Sequence, residues 1–147
     1  MKLRELEVRY KPTDPALTIT RAAINQSVQA ARILVPLLKD QAQEVAIALL
    51  LDTQHRPISI VELGRGPMDA VSMDPRVLFR AALLASATRI ILGHNHPSGE
   101  ATPSQADIEV TRKLQAAGKL MEIEILDHLI VGDGNYCSLM DTGRMRE

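Results

Sequence analysis

The feature that most restricts the fold of this sequence is Val45–Leu51, a run of seven consecutive apolar residues. No polar residue interrupts the run at helical spacing, and its length suits a β-strand that is buried on both faces. The run is far too short to cross a membrane. Residues 52–57 favour a turn, so residues 58–63 are predicted to form a second strand that pairs back as a hairpin.

Three helices are predicted on the faces of this sheet. The first is predicted over residues 20–35 by a stripe of apolar residues at spacings of three and four: Ile24, Val28, Ala31, Val35 and Leu38. Thr18 or Thr20 is expected to cap its start, and Pro36 is expected to cause an end or a kink near Val35. The pair Asp74-Pro75 is typical of a helix start, with aspartate as the N-cap and proline at the first helical position. A third helix is predicted over residues 104–117, ended by Gly118.

The other ordered segments predict strands at residues 89–93, 120–126, 127–131 and 136–139. A Gly-Asp-Gly-Asn turn before the last of these predicts a second hairpin. Strands and helices alternate, with hairpins near both ends, which favours an α/β fold with a mixed sheet flanked by helices. We therefore expect a single domain over residues 20–147, preceded by an N-terminal arm over residues 1–19.

Two histidines follow the predicted strand 89–93, in the sequence Gly-His-Asn-His-Pro-Ser-Gly. Side chains two residues apart point to the same side of a strand, so His94 and His96 should lie together. Asp107 falls in the first turn of the helix that begins near Ser104. Two imidazoles and one carboxylate with room for a water are the arrangement of a catalytic zinc site. Taken alone, Ser104 and Asp107 are better explained as a capping box.

The full pattern, His-x-His-Pro followed by Ser-x-x-Asp, resembles the metal-binding motif of the JAMM (JAB/MPN) metalloproteases. The longer sequences His-Asn-His-Pro-Ser-Gly and Thr-Pro-Ser-x-x-Asp-Ile are similar to the RadC-like branch of that group. The resemblance runs over residues 22–143, which is nearly the whole chain. It implies the JAB/MPN fold, a sandwich of the cytidine-deaminase-like type.

The resemblance also implies a role for individual residues. It implies a zinc site with three protein ligands, namely His94, His96 and Asp107. Ser104 matches the family serine that helps to hold the developing oxyanion. Glu44 is the best match to the upstream glutamate that acts as general base, with Glu62 as its competitor. For either glutamate, the plain alternative is a solvated charge at a strand end. His128, in an Asp-His pair that also fits the RadC pattern, is expected either to support the site by a hydrogen bond or to be structural only.

The function that these residues predict is hydrolysis of an amide bond, peptide or isopeptide, by a water activated on one zinc ion per chain. Another divalent metal is the alternative, because two histidines and one carboxylate also suit iron(II). The alternative functions are a DNA-repair-associated or nucleic-acid-processing factor and a catalytically silent protein-interaction module. A net charge of -1 and an aromatic content of 2% argue against nucleic-acid binding. A zinc deaminase would need a Pro-Cys-x-x-Cys sequence, and the chain has a single cysteine, Cys137.

The expected partner is a protein or peptide substrate, and no membrane association is predicted. The first residues alternate in charge and do not resemble a signal peptide. The single cysteine cannot form a disulfide within the chain. Both observations lead us to expect a cytoplasmic protein.

Overall fold

The computed structural model describes residues 2–11, 21–66 and 73–145. Eight elements are formed by these residues: α1 (Ser27–Leu38), β1 (Val45–Leu51), β2 (Pro57–Arg65), α2 (Pro75–Leu84), β3 (Arg89–Asn95), α3 (Gln105–Leu120), β4 (Glu124–Val131) and β5 (Tyr136–Ser138). The strands form one sheet in the order β2-β1-β3-β4-β5. The β3–β4 pair is parallel and the other pairs are antiparallel. This is the mixed sheet flanked by helices that the sequence predicts.

Both faces of the sheet are covered by helices, which explains why β1 contains no polar residue. All seven residues of β1 are buried. Ala46, Ala48 and Leu50 pack with α2 and α3 on one face, here called the α2/α3 face. The alternate residues of β1 pack with α1 on the other face, here called the α1 face. The even-numbered residues of β3 also point to the α2/α3 face, as do those of β4 beyond the register shift at Leu126, and this alternation decides which polar side chains can meet.

Helix α1 differs from its prediction at both ends. It begins at Ser27 rather than near residue 20, and the side-chain oxygen of Gln29 accepts the N–H of Gln26 at 2.9 Å. The threonines predicted to cap its start, Thr18 and Thr20, lie outside the described residues. The helix also continues through Pro36 to Leu38, so it does not end near residue 35, which was one of the two predicted outcomes. A proline there removes one hydrogen bond of the last turn, and the fully buried side chain of Leu38 offsets that loss.

The buried stripe of α1 agrees with the predicted one at Ala31 and Leu38 and differs from it at Val28. Val28, predicted to face the core, is 41% exposed. The residues of α1 that are buried against the sheet are Ala30, Ala31, Leu34 and Leu38. The apolar periodicity predicted a helix correctly. Ala30 and Leu34, rather than Val28, complete its buried stripe.

Helix α2 begins as predicted. Pro75 is its first residue, and the side chain of Asp74 accepts the backbone N–H of Arg76 at 2.8 Å. Its buried residues are Leu78, Phe79 and Ala82.

Helix α3 passes Gly118 and ends at Leu120, so the predicted end at Gly118 is wrong. A Cβ at this position would lie 2.2 Å from the backbone oxygen of Ile123, so Gly118 permits a close turn into the next strand. The N–H of Ile123 donates to the carbonyl of Gly118 at 2.9 Å. As a result β4 starts at Glu124, and the two strands predicted over residues 120–131 are one strand.

Residues 2–11 form neither a helix nor a strand. The hydroxyl of Tyr10 donates to the carbonyl of Ala85 at 2.8 Å, which ties this part of the N-terminal arm to the end of α2. Among the described helices, none is long and apolar enough to span a membrane.

Candidate metal centre

The end of β3 places His94 and His96 on the same side of the sheet. His94 is 3% exposed and lies between Ala46 of β1 and Ile130 of β4. The N–H of His96 still donates to the carbonyl of Val131 at 2.9 Å, so the extended conformation persists one residue beyond the strand. The chain then turns away through residues 97–104, here called the metal loop.

The first turn of α3 supplies the carboxylate through a capping box. The N–H of Ser104 donates to Oδ2 of Asp107 at 2.7 Å, and the N–H of Asp107 donates to Oγ of Ser104 at 3.1 Å. The capping interpretation of this pair is therefore confirmed. The same hydrogen bonds hold the carboxylate of Asp107 toward the two histidines, so capping and ligation do not compete for it.

The three predicted ligands converge. Nε2 of His94 lies 3.3 Å from Oδ1 of Asp107, and Nε2 of His96 lies 3.2 Å from Oδ2. The two Nε2 atoms are 3.0 Å apart. Ligands bonded tetrahedrally to zinc at 2.0–2.1 Å are separated by about 3.3 Å. Each histidine nitrogen lies near that distance from one oxygen of Asp107, and one ligand atom from each residue lies within 4.8 Å of the others, so the three side chains could hold one metal ion.

The other ring nitrogen of each histidine has a partner. Nδ1 of His96 donates to the carbonyl of Glu100 at 2.8 Å, so the neutral form of His96 has its lone pair on Nε2, toward Asp107. Nδ1 of His94 lies 2.7 Å from Nε2 of His128. Partners of this kind fix the ring orientation of metal-binding histidines in other proteins.

The charges of the site favour a carboxylate that is ionised. Partial burial would raise the pKa of Asp107, but the neighbouring imidazoles of His94 and His96 outweigh this effect and hold that pKa well below its usual range. The hydrogen bond to Asp107 in turn raises the pKa of His96, against a smaller opposing effect of burial. In the absence of a metal, a proton on His96 therefore partly neutralises Asp107.

A cleft of about 290 Å³ opens beside these groups, and Glu44, His94, His96, Ser104 and Asp107 are among the residues that line it. The negative charge of Glu44 makes a small contribution to the raised pKa of His96, after the larger effect of Asp107. Glu62 is exposed on β2, where Arg65 pairs with it at 2.5 Å, and it does not line this cleft. Of the two glutamates, Glu44 is the one that the fold places beside the histidines.

The model of the RadC-like JAB domain matches residues 24–144 of this chain. This chain belongs to the family of RadC-like JAB domains.

Several curated relatives support the same assignment. The chain is 40% identical over 137 residues to a UPF0758 protein of Clostridium perfringens, a match that covers 93% of this chain and 59% of the relative. It is 44% identical over 114 residues to a UPF0758 protein of Methanosarcina acetivorans, which covers 78% of this chain and 50% of the relative. A UPF0758 protein of Cellvibrio japonicus is 48% identical over 106 residues, with 72% of this chain and 47% of the relative covered. The RadC-like domain therefore spans about half the length of these relatives, and their names describe no activity.

Sequence reasoning did not assign a role to Asn95 of this RadC-like domain. Its side chain is 3% exposed and points to the α1 face, opposite to the two histidines. Oδ1 of Asn95 accepts the N–H of Val45 at 2.7 Å, and its Nδ2 donates to the carbonyl of Gln43 at 2.9 Å. Asn95 thus holds the backbone on both sides of Glu44. The signal was the strand alternation in His-Asn-His, but only the fold reveals which segment lies opposite.

The Asp127-His128 pair divides between the two faces of the sheet. Asp127 accepts the N–H of His128 at 2.7 Å, the N–H of Met140 at 3.0 Å and the hydroxyl of Ser138 at 2.6 Å. Burial raises the pKa of Asp127 in spite of these hydrogen bonds. This carboxylate joins β4 to β5 and the turn after it, so its role is structural.

His128 is fully buried on the α2/α3 face and contacts both His94 and Thr111. Burial lowers the pKa of His128 well below its usual value, and the nearby His94 adds to this effect. Of the two roles expected for His128, the structure provides the contact with the metal centre. Thr111, which completes that contact, was not singled out by the sequence.

Proposed function

We propose that this RadC-like domain is a zinc-dependent hydrolase that cleaves an amide bond, either peptide or isopeptide, with a metal-activated water. The observation that carries the proposal is the convergence of His94, His96 and Asp107 at the spacing of zinc ligands, in a cleft that also contains a carboxylate. When bound, zinc lowers the pKa of a water to about 7 and so makes a nucleophile available at neutral pH.

Glu44 is proposed as the general base. It lines the cleft beside His96, and Asn95 fixes the backbone around it. In this role Glu44 accepts the proton of the attacking water and delivers it to the nitrogen of the leaving group. A carboxylate that performs both transfers must be positioned before the substrate binds, and the two hydrogen bonds of Asn95 provide that positioning.

Ser104 is proposed to stabilise the oxyanion that forms on the substrate carbonyl. Its Oγ accepts the N–H of Asp107 in the capping box, and its hydroxyl hydrogen is the group that can be donated. Ser104 lines the same cleft as Glu44, so a carbonyl placed between them would meet a donor on one side and the base on the other. The proposed substrate is a protein or peptide, and the exposed residues Pro97 and Ser98 of the metal loop line the cleft that would receive it.

The test combines metal analysis with hydrolysis of a panel of peptide and isopeptide substrates. We expect one zinc per chain in the wild type and in Glu44→Gln, with hydrolysis lost in Glu44→Gln because the base is gone. Asp107→Asn keeps an acceptor for the helix cap but is expected to lose the metal. Glu62→Gln is the matched control and is expected to retain both metal and activity, because Glu62 lies outside the cleft.

Two results would contradict the proposal. One is a wild-type protein that takes up no stoichiometric zinc or iron(II) under reducing conditions. The other is a Glu44→Gln variant that hydrolyses the substrates at the wild-type rate. Salt-dependent binding of DNA by the wild type, without amide hydrolysis, would favour a nucleic-acid-processing factor instead.

A further inference from the structure

We infer that Thr111 and His128 form a directed hydrogen-bond chain that fixes the tautomer of His94 and prepares its Nε2 as a ligand before any metal binds. The inference rests on the proposed metal site, since it assigns two positioning residues to one of its ligands. It follows from the direction of three consecutive hydrogen bonds.

The direction of donation is fixed at the end of the hydrogen-bond chain that is farthest from His94. Oγ1 of Thr111 lies 2.6 Å from the carbonyl oxygen of Asp107, which can only accept. The single hydrogen of the Thr111 hydroxyl is therefore used there. Nδ1 of His128 lies 2.6 Å from the same Oγ1, so at this contact the hydroxyl must accept and Nδ1 of His128 must donate.

The same direction of donation continues through His128 to the proposed ligand His94. Full burial favours a neutral imidazole, and one that carries its hydrogen on Nδ1 has a lone pair on Nε2. That Nε2 lies 2.7 Å from Nδ1 of His94, so His94 donates its own hydrogen to His128. Nε2 of His94 is consequently left with a lone pair, and this is the atom that faces Asp107 and His96.

The hydrogen-bond chain begins at one proposed ligand and ends at another. It starts at the imidazole of His94 on β3, crosses His128 on β4 and reaches the backbone carbonyl of Asp107 on α3. The tautomer of neutral His96 is fixed separately, because its Nδ1 donates to the carbonyl of Glu100. In the neutral form, both imidazoles therefore have their lone pair on Nε2, the atom that a metal would bind.

The test uses three threonine variants. Thr111→Val has nearly the same shape and removes the acceptor of His128, whereas Thr111→Ser keeps the hydroxyl. Thr88→Val is the matched control, because Oγ1 of Thr88 is buried without a hydrogen-bond partner among the described residues and lies at the opposite end of β3. The readouts are the imidazole nitrogen NMR spectrum of the zinc-free protein and the zinc affinity measured by competition with a chelator.

In the wild type we expect His94 and His128 to carry hydrogen on Nδ1 and none on Nε2. Thr111→Val is expected to lose this pattern and to bind zinc roughly 10–100-fold more weakly. Thr111→Ser and Thr88→Val should retain the wild-type pattern and affinity. Rescue by serine would separate the hydrogen-bond chain from a simple effect of packing at position 111.

The inference is overturned if Nε2 of His94 carries a hydrogen in the zinc-free wild type, or if folded Thr111→Val binds zinc as tightly as the wild type. The wild-type NMR measurement needs neither a metal nor a folded variant, so it tests the hydrogen-bond chain independently of metal binding. A wild type that binds no metal but shows the expected tautomers would refute the proposed function and leave the hydrogen-bond chain supported.

Discussion

Replacing Gly132 by alanine is expected to destabilise the protein and to weaken metal binding without touching a ligand. Gly132 follows β4 and lies against the metal loop. A Cβ at this position would lie 2.4 Å from the backbone oxygen of Gly99, 2.8 Å from the backbone nitrogen of Ala101 and 2.4 Å from Oδ1 of Asn135. The Asn135 side chain can rotate away, but the first two atoms belong to the backbone of the metal loop.

The size of the effect follows from these distances. Ordinary contact with a Cβ begins near 3.4 Å, so the backbone at Gly99 must move by about 1 Å. Strain of this kind typically costs about 1–3 kcal/mol. For a chain of this length, that corresponds to a fall in Tm of about 3–9 °C. The same movement carries the carbonyl of Glu100 away from Nδ1 of His96, so zinc affinity should fall roughly tenfold or more.

The assay is thermal unfolding followed by circular dichroism in the presence of a chelator, with zinc affinity measured separately by competition. Gly134→Ala is the matched control, because a Cβ there would meet nothing within 4 Å while the backbone has φ +72°. It should cost about 1–2 kcal/mol from backbone strain alone and leave zinc affinity unchanged. The reasoning is refuted if Gly132→Ala binds zinc as tightly as Gly134→Ala and unfolds at the wild-type temperature.

Two further predictions concern Asn95 and the protonation of His96. Asn95→Ala leaves the buried N–H of Val45 without its acceptor, so the free energy of unfolding in urea should fall by about 2–3 kcal/mol. Zinc should still bind to this variant, but hydrolysis should fall because the backbone around Glu44 is no longer held. Unchanged hydrolysis in that variant would exclude the positioning role. The hydrogen bond to Asp107 raises the pKa of His96, so the stabilisation from His96 is complete below pH 6.5 and is lost as the pH rises through the folded-state pKa. Zinc affinity should increase over that same rise in pH, and a titration in which it stays constant would show that no proton leaves His96 on binding.

Much of the fold and the centre of the site could be predicted because the relevant signals are local. The uninterrupted apolar run of β1 requires a sheet that is covered on both faces, and both faces are covered. The Asp74-Pro75 pair starts a helix by its own chemistry. The spacing of His94 and His96 follows from strand alternation, and Asp107 was placed by its position in the first turn of α3.

The features that could not be predicted depend on segments that are distant in sequence. Gly118 looks like a helix end, but it is required by the approach of the Ile123 carbonyl. Asn95 and Thr111 are ordinary polar residues until the fold brings residues 43–45 and His128 to them. The end of α1 depends on the burial of Leu38, which the sequence around Pro36 does not reveal.

Because side chains alternate at the end of β3, the proposed metal centre can form only when this strand pairs in its native register. A slip of β3 by one residue would turn Asn95 toward the cleft and bury both imidazoles against α1, so the misaligned chain would have no ligand pair. Metal uptake then discriminates between the native register and its nearest competitor, and zinc added during refolding should enrich the correctly paired molecules.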